Sequence, residues 1–326
     1  MKLSFVKCHG SGNDFLILDE YSRPLSLTDE ERAQLTLTLC NRETGIGADG
    51  ILFFQSSQIA DGKMRVFNSD GSEASMCGNG LRCVARYGCE LLEKKQLSIE
   101  TMKAVLAVEQ TEHIFEQIPT FKVEISPVSF EVKDLPMNVE GETFINQKLE
   151  ALAPGLTFTA VAVPNPHFIS IVDREVLESD VQDTLSTYVN GDNPYFPDGV
   201  NVSFVKLLEP GRIFVKTFER GVGFTNACGT AMSASTLVTC LQGENQLEQT
   251  VSVYNPGGQV NCVAHKKGDT YSIDLIGNAT YEFTIDVEVQ SDLKSYTVQN
   301  RKDFVEETAA YRAMQQASEQ YIRTNM

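Results

Sequence analysis

The chain is organised around two short stretches, Met76-Cys77-Gly78-Asn79-Gly80 and Ala227-Cys228-Gly229-Thr230-Ala231. In each, a cysteine is followed by glycine and then by an apolar run that is compatible with a helix. If both runs are helices, each thiol lies at the positive end of a helix dipole, beside backbone N–H groups that have no partner within the helix. Such a setting lowers the pKa of a thiol and favours the thiolate. The two stretches therefore predict an enzyme in which two opposed cysteines move a proton across a carbon centre.

Length, composition and charge limit the class of protein. The chain has 326 residues, which is more than an average domain, and the repeated cysteine signature favours two domains. Apolar residues make up 42% and charged residues 22%, as in a globular protein with a hydrophobic core. A formal charge of −17 repels polyanions, so we expect no nucleic-acid partner. No run of apolar residues is long enough for a membrane span or a signal peptide, so we expect no membrane partner and a cytosolic location.

The eight cysteines do not suggest a disulfide scaffold or a metal site. They are sparse for a chain of this length, and most should be free thiols in a reducing cytosol. No C-x-x-C or H-x₃₋₅-H pair occurs, so no metal is expected. The cysteines outside the two signature stretches lack a polar loop on one side and a helix on the other, and are predicted to be structural: Cys8, Cys40, Cys83, Cys89, Cys240 and Cys262.

The order of predicted elements repeats along the chain. Each half runs strand, asparagine-bearing loop, strand, helix, strands and cysteine-led helix, which indicates an internal duplication. In the first half, the capping box at Thr28–Glu31 predicts a helix that ends near Cys40. Alternating apolar and polar residues elsewhere predict mostly antiparallel strands in a mixed α/β chain of the α+β type. We predict a first half at 1–126, a second half at 127–290 whose last strands are able to return to the first domain, and a C-terminal extension at 291–326 that is helical.

Paired cysteines suit proton transfer at the α-carbon of an amino acid. A thiolate on one face removes the proton, and a thiol on the other face supplies one. The helix N-termini would offer the N–H groups of Gly78, Asn79, Gly229 and Thr230 to the substrate carboxylate. The alternative is that both cysteines are inert, because free cysteine is among the most buried residue types. The repetition of the pattern favours the catalytic interpretation.

The chain resembles the diaminopimelate epimerase family. The matching motifs occur in family order over roughly residues 3 to 285. They are His9-Gly10-Ser11-Gly12-Asn13-Asp14-Phe15, Gly45-Ile46-Gly47-Ala48-Asp49-Gly50, Phe67-Asn68-Ser69-Asp70-Gly71-Ser72, Met76-Cys77-Gly78-Asn79-Gly80-Leu81-Arg82-Cys83, Asn165-Pro166-His167, Val200-Asn201-Val202, Glu219-Arg220-Gly221-Val222-Gly223 and Ala227-Cys228-Gly229.

The resemblance implies a fold and a reaction. The fold would be two pseudo-symmetric domains, each a barrel-like sheet around a central helix, with the site in the cleft between them. The reaction would be interconversion of LL- and meso-diaminopimelate without a cofactor, which serves lysine and peptidoglycan synthesis in bacteria. No lysine stands in a recognisable pyridoxal phosphate motif, and the paired thiols make an electron sink less necessary.

The resemblance also implies roles for single residues. Cys77 and Cys228 match the acid–base pair, and Glu219 and His167 match the residues that lie beside the thiols and tune them. The residues that would bind the distal amino-acid end of the substrate are Asn13, Asn68, Asn165, Asn201 and Arg220. Arginine binds a carboxylate through two hydrogen bonds, and amides bind both ammonium and carboxylate groups. Taken without the family pattern, Asn13 and Asn68 could equally be turn residues and His167 a surface histidine.

Several positions depart from the family pattern. Family members often carry glutamine at the position of Gly50 and glutamate at that of Phe224. Glycine is common at the position of Pro164, and serine at that of Thr230. The tail from about residue 291 lies outside the usual family length and has no expected catalytic role. The sequence leaves open whether its helix packs on its own domain or on a second copy in a homodimer.

Two other interpretations compete with the epimerase. The first is an enzyme of the same fold with a different substrate, such as a proline or hydroxyproline racemase. Those enzymes typically have histidine after Cys-Gly, so Asn79 argues against it, and isomerases of the phenazine-biosynthesis type lack the cysteine pair. The second is an inactive binding or redox-sensing protein. If both thiols face one carbon, oxidation should link Cys77 to Cys228 and abolish activity.

Overall fold

The computed structural model describes all 326 residues and has the predicted α+β class. Its strands are β1 (Lys2–Gly10), β2 (Asn13–Asp19), β3 (Gly50–Gln55), β4 (Gly62–Asn68), β5 (Glu73–Ala74), β6 (Gln96–Glu100), β7 (Val105–Thr111), β8 (Thr120–Ile125), β9 (Gln147–Lys148), β10 (Thr157–Ala162), β11 (Pro166–Ile171), β12 (Asn201–Glu209), β13 (Arg212–Glu219), β14 (Gly223–Thr225), β15 (Thr250–Asn255), β16 (Gly258–Lys267), β17 (Thr270–Asn278), β18 (Thr280–Val289) and β19 (Tyr296–Asp303). Its helices are α1 (Asp29–Cys40), α2 (Gly78–Leu92), α3 (Arg174–Glu178), α4 (Val181–Val189), α5 (Gly229–Leu241) and α6 (Val305–Asn325), with one 3₁₀ turn at Val132–Asp134.

The chain forms two compact units. The first comprises Met1–Val123 and Ile276–Met314, and the second comprises Glu124–Leu275 and Gln315–Met326. The segment 276–289, which the sequence assigned to the second half with the option of returning, therefore belongs to the first unit. Helix α6 contributes its first ten residues to the first unit and the rest to the second.

The first unit is a mostly antiparallel sheet around helix α2. Its strands follow the order β19-β18-β1-β2-β3-β4-β6-β7-β8, and only the pairs β2/β3 and β4/β6 are parallel. Helix α2 packs against β1, β2, β3, β4, β6 and β7. Most of its residues are buried, as expected of a helix that strands enclose on several sides.

The second unit is built in the same way around helix α5. Its strands follow the order β9-β10-β11-β12-β13-β15-β16, with β11/β12 and β13/β15 as the parallel pairs. Helix α5 packs against β10, β11, β12, β13, β15 and β16. Each unit thus has the same succession of paired strands, helical segment, parallel strand, antiparallel strand, short strand and cysteine-led helix. This confirms the repeat that the sequence predicts.

Apolar residues also fill the outer face of each sheet. In the first unit, Leu35 and Leu39 of α1 are fully buried in a cluster with residues of β1, β2 and β3. Helix α1 has the predicted capping box, in which the Glu31 N–H donates to the Thr28 hydroxyl and the Thr28 N–H to the Glu31 carboxylate. In the second unit, the rings of Phe158 and Phe168 stack at 4.2 Å within the cluster that α3 and α4 cover.

The C-terminal extension is only partly helical. It begins with strand β19, which pairs antiparallel with β18 at a position where the sequence predicts a helical tail. Seven of its eight residues are exposed, so it carries no apolar alternation from which a strand could be inferred. The predicted terminal helix follows as α6. None of the helices combines the length and the apolar character that a membrane crossing requires.

Candidate active site

Cys77 is the N-cap residue of helix α2. Its backbone is extended, with φ −145° and ψ 112°, and its thiol sulfur accepts a hydrogen bond from the Gly80 N–H at 3.4 Å. Gly78 and Gly80 are buried in the first turn, and a Cβ at Gly80 would lie 2.9 Å from the Leu52 side chain. Glycine therefore allows the start of the helix to pack against β3, with the thiol and the first N–H groups at its end.

The amide of Asn13, the first residue of β2, contacts the Cys77 thiol. The Asn13 Oδ1 lies 3.6 Å from the Cys77 sulfur and accepts a hydrogen bond from the Asn79 amide at 3.3 Å. Asn13 and Asn79 therefore both lie beside Cys77, although the resemblance places Asn13 at the distal end of the substrate.

A charged cluster that the sequence analysis did not assign to the site lies behind Asn13. The Asp49 carboxylate accepts the Asn13 amide at 2.6 Å, and Arg42 donates to Asp49 at 2.7 Å and to Asp14 at 2.6 Å. The buried Lys7 ammonium donates to Asp14 as well. Asp49 lies within the Gly45–Gly50 motif, so the signal was present in the sequence, but its contact with Asn13 depends on the pairing of β2 with β3.

Asn68 ends β4 and has a local role in the structure. Its amide donates to the Ser72 hydroxyl at 3.0 Å, as a turn residue does, and its backbone pairs with Gly50 across the ladder. A Cβ at Gly50 would lie 2.3 Å from the Phe67 carbonyl oxygen. The strands approach too closely here for the glutamine that is common in the family at this position.

Cys228 is the N-cap residue of helix α5 and only 7% of it is exposed. The pKa of its thiol is well above the ordinary value, because burial disfavours the thiolate and the Glu219 carboxylate adds unfavourable charge. The Thr230 hydroxyl, 3.5 Å from the sulfur, and the Ala231 N–H lower the pKa in part. Cys228 is therefore held as the thiol. The Thr230 hydroxyl and the Ala231 N–H are placed to donate hydrogen bonds to a thiolate when one forms.

His167 reaches Cys228 only through Thr230. Its Nε2 lies 3.1 Å from the Thr230 hydroxyl and 3.0 Å from the Asn165 Oδ1, while its buried Nδ1 has no hydrogen-bond partner. Burial and then the charge of Arg220 lower the pKa of His167 to about 3, so the ring is neutral. With Asn165 Oδ1 as acceptor, Nε2 carries the proton and the Thr230 hydroxyl is free to donate to the sulfur.

Glu219, Arg220 and Asn201 meet where β13 ends and β12 begins. The Glu219 carboxylate accepts the Thr225 hydroxyl at 2.5 Å, and the buried Asn201 amide oxygen accepts the Arg220 N–H at 2.9 Å. The Arg220 side chain is exposed and makes one hydrogen bond, to the Asp198 carbonyl at 3.0 Å. Asp198 and Thr225 were not predicted, since neither belongs to a motif with a recognisable chemical role.

The two half-sites differ in charge. Glu219 and Asn68 are the last residues of β13 and β4, so a carboxylate in the second unit occupies the position of an amide in the first. No three His, Cys, Asp or Glu side chains are arranged to hold a metal ion. The arrangement can donate and accept protons at each cysteine and bind an anion at the start of each helix.

Solved structures of low sequence identity share this fold. A phenazine biosynthesis protein of the PhzF family from Bacillus anthracis matches with a TM-score of 0.61 at 18% identity, over 89% of this chain and 100% of its own. A hydroxyproline epimerase from Agrobacterium vitis matches with a TM-score of 0.57 at 13% identity, over 87% of this chain and 92% of its own. The fold is therefore that of a class of proteins that includes amino-acid epimerases.

Sequence comparison is more specific. The family model described as diaminopimelate epimerase matches residues 5–122 and 159–282. A diaminopimelate epimerase from Ligilactobacillus salivarius is 52% identical over 85% of this chain and 88% of its own. A diaminopimelate epimerase from Listeria monocytogenes serovar 1/2a is 48% identical over 99% of this chain and 98% of its own. This match includes the C-terminal tail. The chain belongs to the diaminopimelate epimerase family.

Proposed function

We propose that this protein interconverts LL- and meso-diaminopimelate, with Cys77 and Cys228 as the acid–base pair. The family supports the reaction. The observation that carries the assignment of the pair is that each unit begins its buried central helix with a cysteine as the N-cap residue. The proposed enzyme is cytosolic, acts on a small amino acid, uses no pyridoxal phosphate and serves lysine and peptidoglycan synthesis. A homodimer is compatible with these roles.

The proton balance of the proposed reaction requires one thiolate and one thiol. The Cys77 thiolate removes the proton from the α-carbon, and the electron pair of the broken C–H bond remains on the substrate as a carbanion. The Cys228 thiol then donates its proton to the opposite face, which inverts the centre and leaves a thiolate on Cys228. In the reverse direction the roles exchange. The proposal requires that both thiols reach the same α-carbon.

The surroundings of Cys228 suit the residue that donates a proton in the proposed reaction. Burial and Glu219 keep Cys228 protonated before the reaction, so a proton is available. After the transfer, the hydrogen bonds from the Thr230 hydroxyl and the Ala231 N–H stabilise the new thiolate. His167 contributes to this series of hydrogen bonds through its contact with the Thr230 hydroxyl. Its ring is a neutral donor and does not change charge at neutral pH.

We further propose how the substrate binds. The N–H groups of the first helical residues, Gly78 and Asn79 in α2 and Gly229 and Thr230 in α5, bind the carboxylate next to the reacting carbon. The exposed guanidinium of Arg220 binds the distal carboxylate through two hydrogen bonds. The other polar side chains that we propose for substrate binding are Asn13, whose amide contacts Cys77 at the reacting end, and Asn68, Asn165 and Asn201 at the distal end.

Deuterium incorporation from D₂O at the α-carbons of LL-diaminopimelate tests the function. Under reducing conditions the wild type should exchange with inversion. Cys77→Ser and Cys228→Ser should each lose about a thousandfold or more in rate, because one partner of the pair is missing. Cys240→Ser, on the same helix as Cys228 but at its other end, serves as the matched control and should keep its activity.

Two results would contradict the proposal. If the folded, reduced wild type gave no exchange, diaminopimelate would not be the substrate, and other amino acids would be tested next. If the wild type exchanged and a serine variant kept its rate, that cysteine would not be an acid or base in the reaction.

A further inference from the structure

The amide of Asn13 stands between a carboxylate and a thiol. Its Nδ2 lies 2.6 Å from Asp49 Oδ2, and its Oδ1 faces the Cys77 sulfur at 3.6 Å. An amide donates hydrogen bonds through its NH₂ group and accepts them through its oxygen. The Asp49 carboxylate and the Cys77 thiol therefore face groups of opposite hydrogen-bonding character. Which end faces the thiol decides whether Asn13 stabilises the thiol or the thiolate.

Asp49 determines this orientation because it only accepts hydrogen bonds. Asp49 is paired with Arg42 at 2.7 Å, and both oxygens of a carboxylate are acceptors. The same Oδ2 that receives the Asn13 amide receives the Asp14 N–H at 3.1 Å. An Asn13 oxygen turned towards Asp49 would put two acceptors in contact, so the NH₂ group must face Asp49 and the oxygen must face Cys77.

The charged cluster holds Asp49 in place. Arg42 bridges Asp49 and Asp14, and the buried Lys7 ammonium holds Asp14 from the other side. Asp14 directly follows Asn13 in β2, so the cluster fixes the backbone that carries the amide as well as its carboxylate partner. On the other side, the Asn79 amide donates to the same Asn13 oxygen at 3.3 Å and favours the same orientation.

We propose that Asp49 is a positioning residue that holds the Asn13 amide with its oxygen towards the Cys77 thiol. The oxygen accepts the S–H and keeps the proton on sulfur, against the Gly80 N–H, which favours the thiolate. A substrate ammonium group that takes the Asn13 oxygen removes this acceptor. The proton of the partly exposed Cys77 thiol then passes to solvent, and the helix N-terminus stabilises the thiolate. This last step rests on the proposed function, whereas the orientation of the amide does not.

Alkylation of Cys77 by iodoacetamide at pH 7, followed by peptide mass spectrometry, measures its thiolate fraction without substrate. We expect Asp49→Ala to raise the Cys77 rate about threefold or more, the size of effect that one hydrogen bond produces. Asn13→Ala should raise it similarly. The Cys228 rate in the same samples is the internal control and should not change.

A double-mutant cycle separates orientation from charge, because loss of the Asp49 charge alone would also favour the thiolate. If Asp49 acts through Asn13, Asp49→Ala should change the Cys77 rate less than about 1.5-fold in the Asn13→Ala background. Glu43→Ala removes an exposed carboxylate from the same loop and should have no effect in either background.

Two outcomes would overturn the proposal about Asp49, and a third would separate it from the proposed function. An equal effect of Asp49→Ala in both backgrounds would mean that the carboxylate acts by its charge alone. If neither Asp49→Ala nor Asp49→Asn, which keeps the size of the side chain, changed the Cys77 alkylation rate in either background, Asp49 would not control the thiol. A wild type that fails to exchange deuterium while the cycle holds would remove the proposed function and leave the orientation intact.

Discussion

At the scale of single residues, the Cys228 thiol is held between contacts of opposite effect. Burial and the Glu219 carboxylate raise its pKa, and the Thr230 hydroxyl and Ala231 N–H lower it. Only Thr230 and Ala231, at the start of the helix, are close to Cys228 in the sequence. Glu219 arrives from the end of β13 and His167 from β11, so the balance depends on strand register rather than on a local motif.

The Glu219 contact predicts a change in thiol reactivity. Glu219→Gln removes a negative charge and keeps the shape, so the pKa of Cys228 should fall and its alkylation rate at pH 8 should rise about threefold to tenfold. Thr230→Val removes a donor and should lower the rate. Glu244→Gln, an exposed position just beyond α5, is the control. An unchanged rate in Glu219→Gln would show that the carboxylate does not act on this thiol.

The sequence was informative about these residues in part. It predicts cysteines at helix starts, because Cys-Gly before an apolar run gives the cap and the helix together, and α2 and α5 begin directly after Cys77 and Cys228. It does not predict that Asn68 hydrogen-bonds within its own turn, or that His167 meets Thr230 rather than a thiol. Those contacts depend on side-chain direction at strand ends, which composition and spacing do not determine.

At the scale of elements, helix α6 is attached to the helix that begins with Cys77. The Glu307 carboxylate accepts two hydrogen bonds from Arg86 of α2, at 2.6 and 2.8 Å, and one from the Tyr281 N–H at 3.1 Å. Four residues further along α6, the ring of Tyr311 packs edge-on against His9 at 4.3 Å. The extension thus supports the central helix of the first unit.

This attachment predicts a loss of stability when Glu307 is neutralised. Glu307→Gln leaves the mostly buried Arg86 guanidinium with the half-exposed Glu90 as its remaining charge partner, and we expect the first unit to lose about 1–2 kcal/mol. Glu306→Gln alters the exposed neighbour in the same turn and should leave the Tm unchanged. Calorimetry of the two variants makes the comparison, and equal Tm values would show that the ion pair contributes nothing.

Elements with strong local signals were predictable from the sequence, and the exposed strand was not. The capping box of α1 and the apolar face that carries Leu35 and Leu39 determine that helix within twelve residues. Strand β19 is held by its backbone pairing with β18 and buries almost nothing. A strand without a buried face has no period of two in its sequence.

At the scale of the whole molecule, each unit contains one buried, neutral histidine. In the second unit it is His167. In the first unit it is His9, whose pKa burial lowers to about 4, with Lys7 and Arg82 acting in the same direction and Asp14 against them. The Gly12 N–H donates to its Nδ1 at 3.3 Å, which requires the neutral ring.

These shifts predict that acid destabilises the fold. An unfolded histidine binds a proton below about pH 6.5 and the buried one does not until about pH 4, so stability is complete above pH 6.5 and falls as pH decreases towards 4. Between pH 7 and pH 5, His9 should account for about 2 kcal/mol. The Tm of His9→Asn should therefore fall less over this interval than that of the wild type.

The exposed His113, in the loop after β7, provides the control for this titration. His113→Asn should show the same decrease in Tm between pH 7 and pH 5 as the wild type. If His9→Asn also kept the full decrease, the buried ring would not be the group that titrates.

The return of β18 to the first unit was the part of the chain path that the sequence could not determine. Strand β18 pairs with β1, and the partners Lys2 and Glu288 lie at opposite ends of the chain. Apolar and polar residues alternate in the same way in β1 and β18, so this pattern alone permits each strand to pair with several others. Repetition of the element order was predictable because each repeat has its own cysteine-led helix.

The N-cap position of both cysteines has a consequence for how the protein evolves and how it can be studied. Serine, threonine, asparagine and aspartate cap helices better than other residues, by about 1 kcal/mol over a poor cap. The proposed acid–base pair requires sulfur at both positions, so on this proposal each helix start is capped less well than serine would cap it. Variants with serine at these positions should have well-capped helices that lack the proposed acid or base, and they are therefore suitable for crystallising an intact, unreacted substrate.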